Sequence, residues 1–258
     1  MSGLKRAIRL IFLIFINMIF LLIGLLIEAS FFIDNQKRLK MRVFLMSLWA
    51  KSCCRILGIN VSVRGDLKKD GPYFVASNHC SYTDIFVLGS VIPSVFLSKS
   101  EVASWPMAGR LAKMAGTVFV NRESRFEMPA VMSQLKKRLT DGVSVVVFPE
   151  GTTNDGINVK KFKCTFFKIP AEAGMPVMPV SVSYTNICGE PLSIRNKDNI
   201  AWHSDMEFMP HFWNLLTINK IEASLYFSPV ICPSFQDRKD LCAEVYHAVI
   251  SGCIKPED

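Results

Sequence analysis

The sequence predicts an α/β fold with a mostly parallel central sheet flanked by helices, preceded by N-terminal membrane-associated helices. Three observations carry this. From about residue 60 onward, short β-like runs alternate with helical patterns. One of those runs, VSVVVFP (143–149), is apolar almost throughout, as strands buried on both faces are. Near the N-terminus, Leu10–Ile27 holds 18 residues of which only Asn17 is polar and only Gly24 is a weak helix former. A chain of 258 residues has room for one large domain with an appendage. The expected division is an anchoring helical segment over 1–58 and a folded α/β domain over 59–258.

As a helix, Leu10–Ile27 reaches about 27 Å, roughly one hydrocarbon core. The basic start (Lys5, Arg6, Arg9) also fits a signal peptide, but the run exceeds the ~7–15 residues of such an apolar region and no A-x-A site follows. A retained membrane anchor is expected. Lys37, Arg38, Lys40 and Arg42 lie beyond it, so cations on both flanks leave its orientation open. A segment that dips in and returns stands beside one that crosses. The next stretch, KRLKMRVFLMSLWAKSCCRILG, reads as a helix ending at Gly58. It either lies at a lipid interface or packs on the domain that follows.

The remaining elements follow in order. PYFVAS (72–77) is a strand, with a helix through TDIFVLGSV. SVFLSK (94–99) is a second strand, and AGRLAKMA is helical. GTVFVN (116–121) is a third, followed by the helix EMPAVMSQLKKRLTDG. The apolar run 143–149 is a fourth, PVMPVSVSY (176–184) a fifth and IEASLYFSPVI (221–231) a sixth. DRKDLCAEVYHAVISGCI closes the chain as a helix capped by Asp237 or a neighbour. The formal net charge is +8. With an apolar anchor, that excess points to an anionic membrane or anionic lipid and away from nucleic acid. Eight cysteines form no C-x-x-C pair and no regular framework, as in a reduced, cytoplasm-facing protein without a zinc site.

In sheets of this kind function gathers at the carboxyl ends of the strands. After the first strand comes Asn78-His79-Cys80-Ser81-Tyr82-Thr83-Asp84. Residues five apart on one helix lie about 140° apart, so His79 and Asp84 meet only if His79 sits in the turn and Asp84 in the first helical turn. Ser81-x-x-Asp84 is also a capping box, in which Asp84 simply serves the backbone. A histidine oriented by a carboxylate is a general base. Cys80 as a thiol nucleophile is disfavoured, since adjacent side chains point apart. Arg122, after the third strand, and Lys99, at the end of the second, suit an anion clamp; the plainer alternative is a solvated surface arginine. After the fourth strand, Phe148-Pro149-Glu150-Gly151-Thr152 forms a tight turn that either aims backbone N–H groups and a carboxylate into a cleft or is an acidic β-turn.

Taken together, these pieces resemble the 1-acylglycerol-3-phosphate acyltransferase family, within the wider glycerolipid acyltransferases. The family's N-H-x4-D block matches Asn78, His79 and Asp84. Its apolar strand ending in arginine is similar to Gly116–Arg122, including Asn121. F-P-E-G-T matches Phe148 to Thr152, and the strand bearing a proline is similar to VMPVSV with Pro179. AWHSDMEFMPHFW (201–213) resembles a stretch of the bacterial members, and the likeness covers about residues 40–235.

The resemblance implies that His79 is the general base, oriented by Asp84, acting on the free hydroxyl of a lysophospholipid. That hydroxyl attacks the thioester of acyl-CoA or acyl-carrier protein with no covalent acyl-enzyme. Arg122, with Lys99, would hold the acceptor's phosphate, and Glu150, Gly151 and Thr152 would help bind it. The implied acceptor is lysophosphatidate, giving phosphatidate; the alternatives are lyso-ornithine lipid or another lysophospholipid, and, more remotely, an inactive membrane-binding protein. No metal and no cofactor beyond the acyl co-substrate is expected. A lipase-like hydrolase would need a G-x-S-x-G elbow, which the chain lacks. The expected location is the cell membrane, with the catalytic domain facing the cytoplasm.

Overall fold

The computed structural model describes residues 2–122, 124, 126–233 and 237–254. Two long helices lead, α1 (Ser2–Ala29) and α2 (Asn35–Leu57). Asp34 caps α2 by accepting from the Gln36 and Lys37 amides, and Gly58 ends it in the left-handed conformation, φ 73°. Strands and helices then follow: β1 (Ile59–Gly65), β2 (Phe74–Ser77), α3 (Asp84–Val91), β3 (Ser94–Lys99), α4 (Ala108–Met114), β4 (Val118–Val120), α5 (Met128–Thr140), β5 (Ser144–Val147), α6 (Lys168–Ala173), β6 (Val177–Ile187), the two-residue β7 (Glu190–Pro191), α7 (Phe208–Leu215), β8 (Ile221–Phe227) and α8 (Arg238–Gly252). Asp237 caps α8 through the Lys239 amide.

The sheet runs in the order β1-β8-β6-β2-β5-β3-β4, with β7 paired to β6. Among the strand pairs of the described residues, β6–β8 and β6–β7 are antiparallel and the rest parallel. The central strands are apolar on both faces: Phe74, Val75, Ala76, Val145, Val146 and Val147 are all essentially inaccessible. That is why the sequence reads as uninterrupted apolar runs there.

Several boundaries shift. The expected fourth strand stops at Val147, because Phe148 and Pro149 leave the sheet to form the site. The expected fifth continues to Ile187, and the sixth ends at Phe227, after which Ile231 bridges to Val177. Strand β1 and helices α6 and α7 were not foreseen. β1 is an edge strand with a mostly exposed, polar pattern, and α6 and α7 are short and contain Pro170 and Pro210. Such segments carry little periodicity.

α1 is long and apolar enough to cross a membrane, over Gly3–Ala29. It nevertheless docks on the body at both ends and in the middle. Lys5 Nζ donates to the Thr217 carbonyl (3.1 Å) and Arg9 to the Leu216 carbonyl (3.2 Å). Trp49 Nε1 of α2 donates to Asn17 Oδ1 (2.7 Å). Gly24 gives close approach to the Met114 side chain of α4, and Glu28 pairs with Arg42. α2 packs against α3 and adds Cys53, Cys54 and Leu57 to the core cluster that contains Val75 and Met178. Of the two roles open to α2, packing on the domain is therefore met, while Met41, Phe44 and Leu48 stay exposed beside the apolar outer face of α1.

Candidate active site

β2 ends at Ser77 and α3 begins at Asp84, so the six residues between form the turn that the spacing of His79 and Asp84 requires. His79 Nδ1 lies 2.7 Å from Asp84 Oδ2. The same oxygen accepts from the Cys80 amide (2.8 Å) and the Ser81 amide (3.0 Å). Asp84 Oδ1 accepts from the Tyr184 hydroxyl (2.7 Å). Asp84 is fully buried, whereas the His79 side chain keeps 17% of its surface. An acceptor-only carboxylate beside Nδ1 fixes the proton there and leaves Nε2 with its lone pair outward. His79 Nε2 makes no hydrogen bond among the described residues.

The capping box forms only by half. Asp84 does reach back to the Ser81 amide, but the Ser81 hydroxyl accepts from Thr83, through its amide (3.3 Å) and its hydroxyl (2.9 Å). Thr83 occupies the N-cap position without a side-chain cap bond. The turn is therefore shaped to put the carboxylate under the imidazole, with the serine bracing the loop.

The loop after β5 closes over the histidine. The Phe148 ring stacks on the imidazole at 3.9 Å and 12°, with Phe96 behind it. Glu150 is buried and both of its oxygens are engaged. Oε1 accepts from the His79 amide (2.7 Å), and Oε2 accepts from Asn154 Nδ2 (2.7 Å) and the Lys160 amide (2.7 Å). The Asn154 amide donates to the His79 carbonyl (2.8 Å). Burial pushes the Glu150 carboxyl up, and the donors from Asn154, His79 and Lys160 pull it back. Glu150 thus clasps two loops together, with its carboxylate turned into the protein. Pro149 is buried and its carbonyl accepts from the Lys163 amide. Gly151, at φ 78°, turns the chain where the Lys163 side chain lies across it, and Thr152 is exposed at the rim.

Cys80 and Tyr184 settle what the site cannot use. Burial pushes the Cys80 thiol well up and the Asp84 carboxylate adds to this, so no thiolate forms there. Burial likewise raises the Tyr184 hydroxyl, which therefore keeps its proton to donate to Asp84. Tyr184 and Asn154 were missed by sequence reasoning. The signal for Asn154 was its place in the loop FPEGTTND; for Tyr184 it was a lone phenol inside a buried strand whose other polar residues are small.

The other expected site residues, Gly116 apart, fall into two groups. Lys99 and Val120 are partners in the β3–β4 ladder, which brings Lys99, Asn121 and Arg122 to one corner at the carboxyl ends of these strands. Glu101 shares it: its own amide and the Ser100 hydroxyl hold its carboxyl below the usual range, and Lys99 and Arg122 add to the effect. Asn78 and Pro179 sit inside the sheet. Asn78 exchanges hydrogen bonds with the Val182 backbone (2.8 Å each way), and Pro179 is the ladder partner of Ala76. Gly116 is not brought to the site. It precedes β4 at the opposite end of the sheet, at φ 82°, where a Cβ would lie 2.8 Å from Leu39.

A partly exposed histidine paired with a buried carboxylate at the mouth of an α/β sheet has the geometry of an enzyme site suited to general-base chemistry. Comparison with known proteins agrees with that class. The Acyltransferase family model matches residues 58–183. The chain belongs to the lysolipid acyltransferase family that includes the 1-acylglycerol-3-phosphate acyltransferases, and it is an O-acyltransferase. It is 36% identical over 200 residues to the lyso-ornithine lipid O-acyltransferase of Rhizobium meliloti, covering 75% of this chain and 68% of that one. It is 32% identical to the Brucella abortus protein of the same name, covering 93% and 92%. Against the 1-acyl-sn-glycerol-3-phosphate acyltransferase of Neisseria gonorrhoeae the identity is 31%, covering 69% of each. The crystal structure of the 1-acyl-sn-glycerophosphate (LPA) acyltransferase from Thermotoga maritima shares the fold, with a TM-score of 0.70 over 98% of this chain and 96% of that one at 23% identity.

Proposed function

We propose that the protein transfers a fatty acyl group from acyl-CoA or acyl-carrier protein to the free hydroxyl of lysophosphatidate, giving phosphatidate. The observation that carries the reaction type is the 2.7 Å His79–Asp84 pair with Nε2 left open. Nε2 takes the proton of the acceptor hydroxyl as its oxygen attacks the thioester carbonyl. The tetrahedral intermediate expels the thiolate, which takes the proton back from the imidazolium. Asp84 holds the tautomer and stabilises the charged ring. The base step is worth roughly 10²–10⁴-fold, and holding the two substrates together supplies much of the rest.

Lys99 and Arg122, at one strand-end corner, support an anionic headgroup on the acceptor. A second acceptor is favoured by the relatives of higher identity, which are named for lyso-ornithine lipid. Ornithine carries a carboxylate and an ammonium, and Glu101 beside Lys99 and Arg122 would suit that mixed charge. The test is acyl transfer by purified protein in liposomes, with both acceptors and both donors offered separately. Turnover of lysophosphatidate by wild type and not by His79→Ala supports the first reading. Turnover of lyso-ornithine lipid alone replaces it with the second, and turnover of neither rejects both acceptors. Arg122→Ala is expected to raise KM for lysophosphatidate with little change in kcat; an unchanged KM moves the headgroup site to another residue.

The membrane reading follows from α1. Its ties from Lys5 to Glu28 span ~35 Å of helix, so it cannot thread a bilayer without carrying the body with it. Its exposed face, with Phe12, Phe15, Leu22 and Leu26, suits a helix lying in one leaflet. The eight free cysteines support a body facing the reducing cytoplasm.

A further inference from the structure

At the elbow between α1 and α2 the chain forms a partly open cavity of about 250 Å³ against the last turn of α5. Arg38, Arg42, Lys137 and Arg138 line it, and Glu28 and Asp141 are the carboxylates in its wall. Four cations against two carboxylates leave positive charge in surplus. The carboxylates are already committed. Glu28 pairs with Arg42, and Asp141 accepts from Lys137 (2.9 and 3.0 Å) and Gln36 (3.1 Å). Arg38 donates to the Glu28 carbonyl (2.7 Å) and to Asn35.

What remains is unsatisfied. The Nε atoms of Arg42 and Arg138 are buried and have no hydrogen-bond partner among the described residues. A buried N–H without an acceptor is costly, and a charged one more so. Burial holds the Arg42 guanidinium below its usual range; the Glu28 carboxylate opposes this, and the nearby charges of Arg138 and Arg38 add to it. An anion in the cavity would relieve all of this at once.

The position suits a ligand presented by a membrane. Phe31 and Phe32 at the elbow are 89% and 79% exposed and continue the apolar outer face of α1. The place is also remote from catalysis. Lys40 lies over Gly142, just before β5, and Leu39 over Gly116, just before β4. The elbow therefore sits at the amino ends of these strands, while His79 follows the carboxyl end of β2, which runs parallel to β5. The cavity is smaller than the ~300–1,000 Å³ of a typical small-molecule site, which fits a headgroup better than a whole lipid.

We propose that this elbow cavity is a binding site for a phosphate-bearing anion, presented as the headgroup of an anionic phospholipid and separate from the catalytic site. Arg42 and Arg138 donate through their free Nε atoms, and Lys137 and Arg38 supply charge. Its occupation fixes the α1–α2 hairpin on the body at the membrane surface.

The experiment compares full-length wild type with Lys137→Gln/Arg138→Gln and with a control pair at the far edge of the sheet, Lys68→Gln/Lys69→Gln. Binding is measured to phosphatidylcholine vesicles with and without phosphatidylglycerol. Each basic residue near an anionic surface contributes about fivefold, so the elbow pair is expected to lose roughly tenfold or more affinity for the phosphatidylglycerol vesicles. The control pair, which follows β1 at the sheet edge opposite β4, is expected to lose less than about twofold. In a second arm, inorganic phosphate at matched ionic strength is expected to raise the melting temperature of wild type and not of the elbow variant. Loss of vesicle affinity alone assigns the site to a lipid headgroup, and loss of the phosphate response alone assigns it to a free anion. A variant that matches the control on vesicles and wild type in phosphate overturns the proposal. Lys137→Gln alone, at a largely exposed side chain, keeps the test open if the double variant folds poorly.

Discussion

At the carboxyl end of the sheet, polar groups are packed and saturated; along the N-terminal hairpin, apolar groups are left in the open. Asp84 has no accessible surface and accepts from two amides, a phenol and an imidazole. Glu150 is nearly as deep and accepts from three donors. On α1, by contrast, Ile11, Phe12, Phe15, Leu22, Leu25 and Leu26 all face outward, and one hydrogen bond, from Trp49 to Asn17, marks its middle. The first region spends its order on holding one imidazole nitrogen in place. The second turns an apolar face outward that suits lipid better than water, and its few polar ties hold that face in register with the body.

Substitutions can break each side of that contrast. The largest effect is expected for His79→Ala: acyl transfer falls roughly 10²–10⁴-fold with little change in melting temperature, because the ring sits at the surface of its network. Residual activity within tenfold of wild type would remove the base assignment. Glu150→Gln comes next and should strike fold and activity together. An amide replaces an acceptor that two donors share, at about 1–3 kcal/mol, read as a lower melting temperature. An unchanged melting temperature would show that the clasp is not needed for stability. Tyr184→Phe removes one donor to Asp84 and is expected to lower kcat by roughly tenfold or less, with KM unchanged and the acid limb of the pH profile displaced. A stability change without a shifted pH profile would reduce Tyr184 to packing. The smallest effect is expected from Asn17→Leu, which frees Trp49 Nε1: ~1 kcal/mol or less in stability and no change in kcat with detergent-dispersed acceptor.

Legibility in the sequence follows the same divide. The buried strands β2 and β5 could be read directly, because burial on both faces writes itself as unbroken apolar residues. The His79–Asp84 pair could be read as well, since its spacing excludes one helix and demands a turn. Tyr184 could not: its contact with Asp84 spans 100 residues and depends on β6 lying next to β2. Glu150 was legible as a site residue, but its inward aim was not, because a turn's sequence does not say which way its carboxylate points. Gly116 shows the converse. It sits in a block that resembles the family, yet its left-handed turn beneath Leu39 is a requirement of the backbone at the far end of the sheet.

The Glu150 clasp also bears on how the chain folds. Its bond to the His79 amide closes a loop of 71 residues, and the return bond from Asn154 to the His79 carbonyl repeats the closure. Neither can form until β2 and β5 are already side by side, and parallel pairing of distant segments is intrinsically slow. The catalytic turn is therefore among the last parts to be organised. Refolding chains should regain secondary structure first and acyl transfer only in the slowest phase, so that an actively working molecule is one that has finished folding.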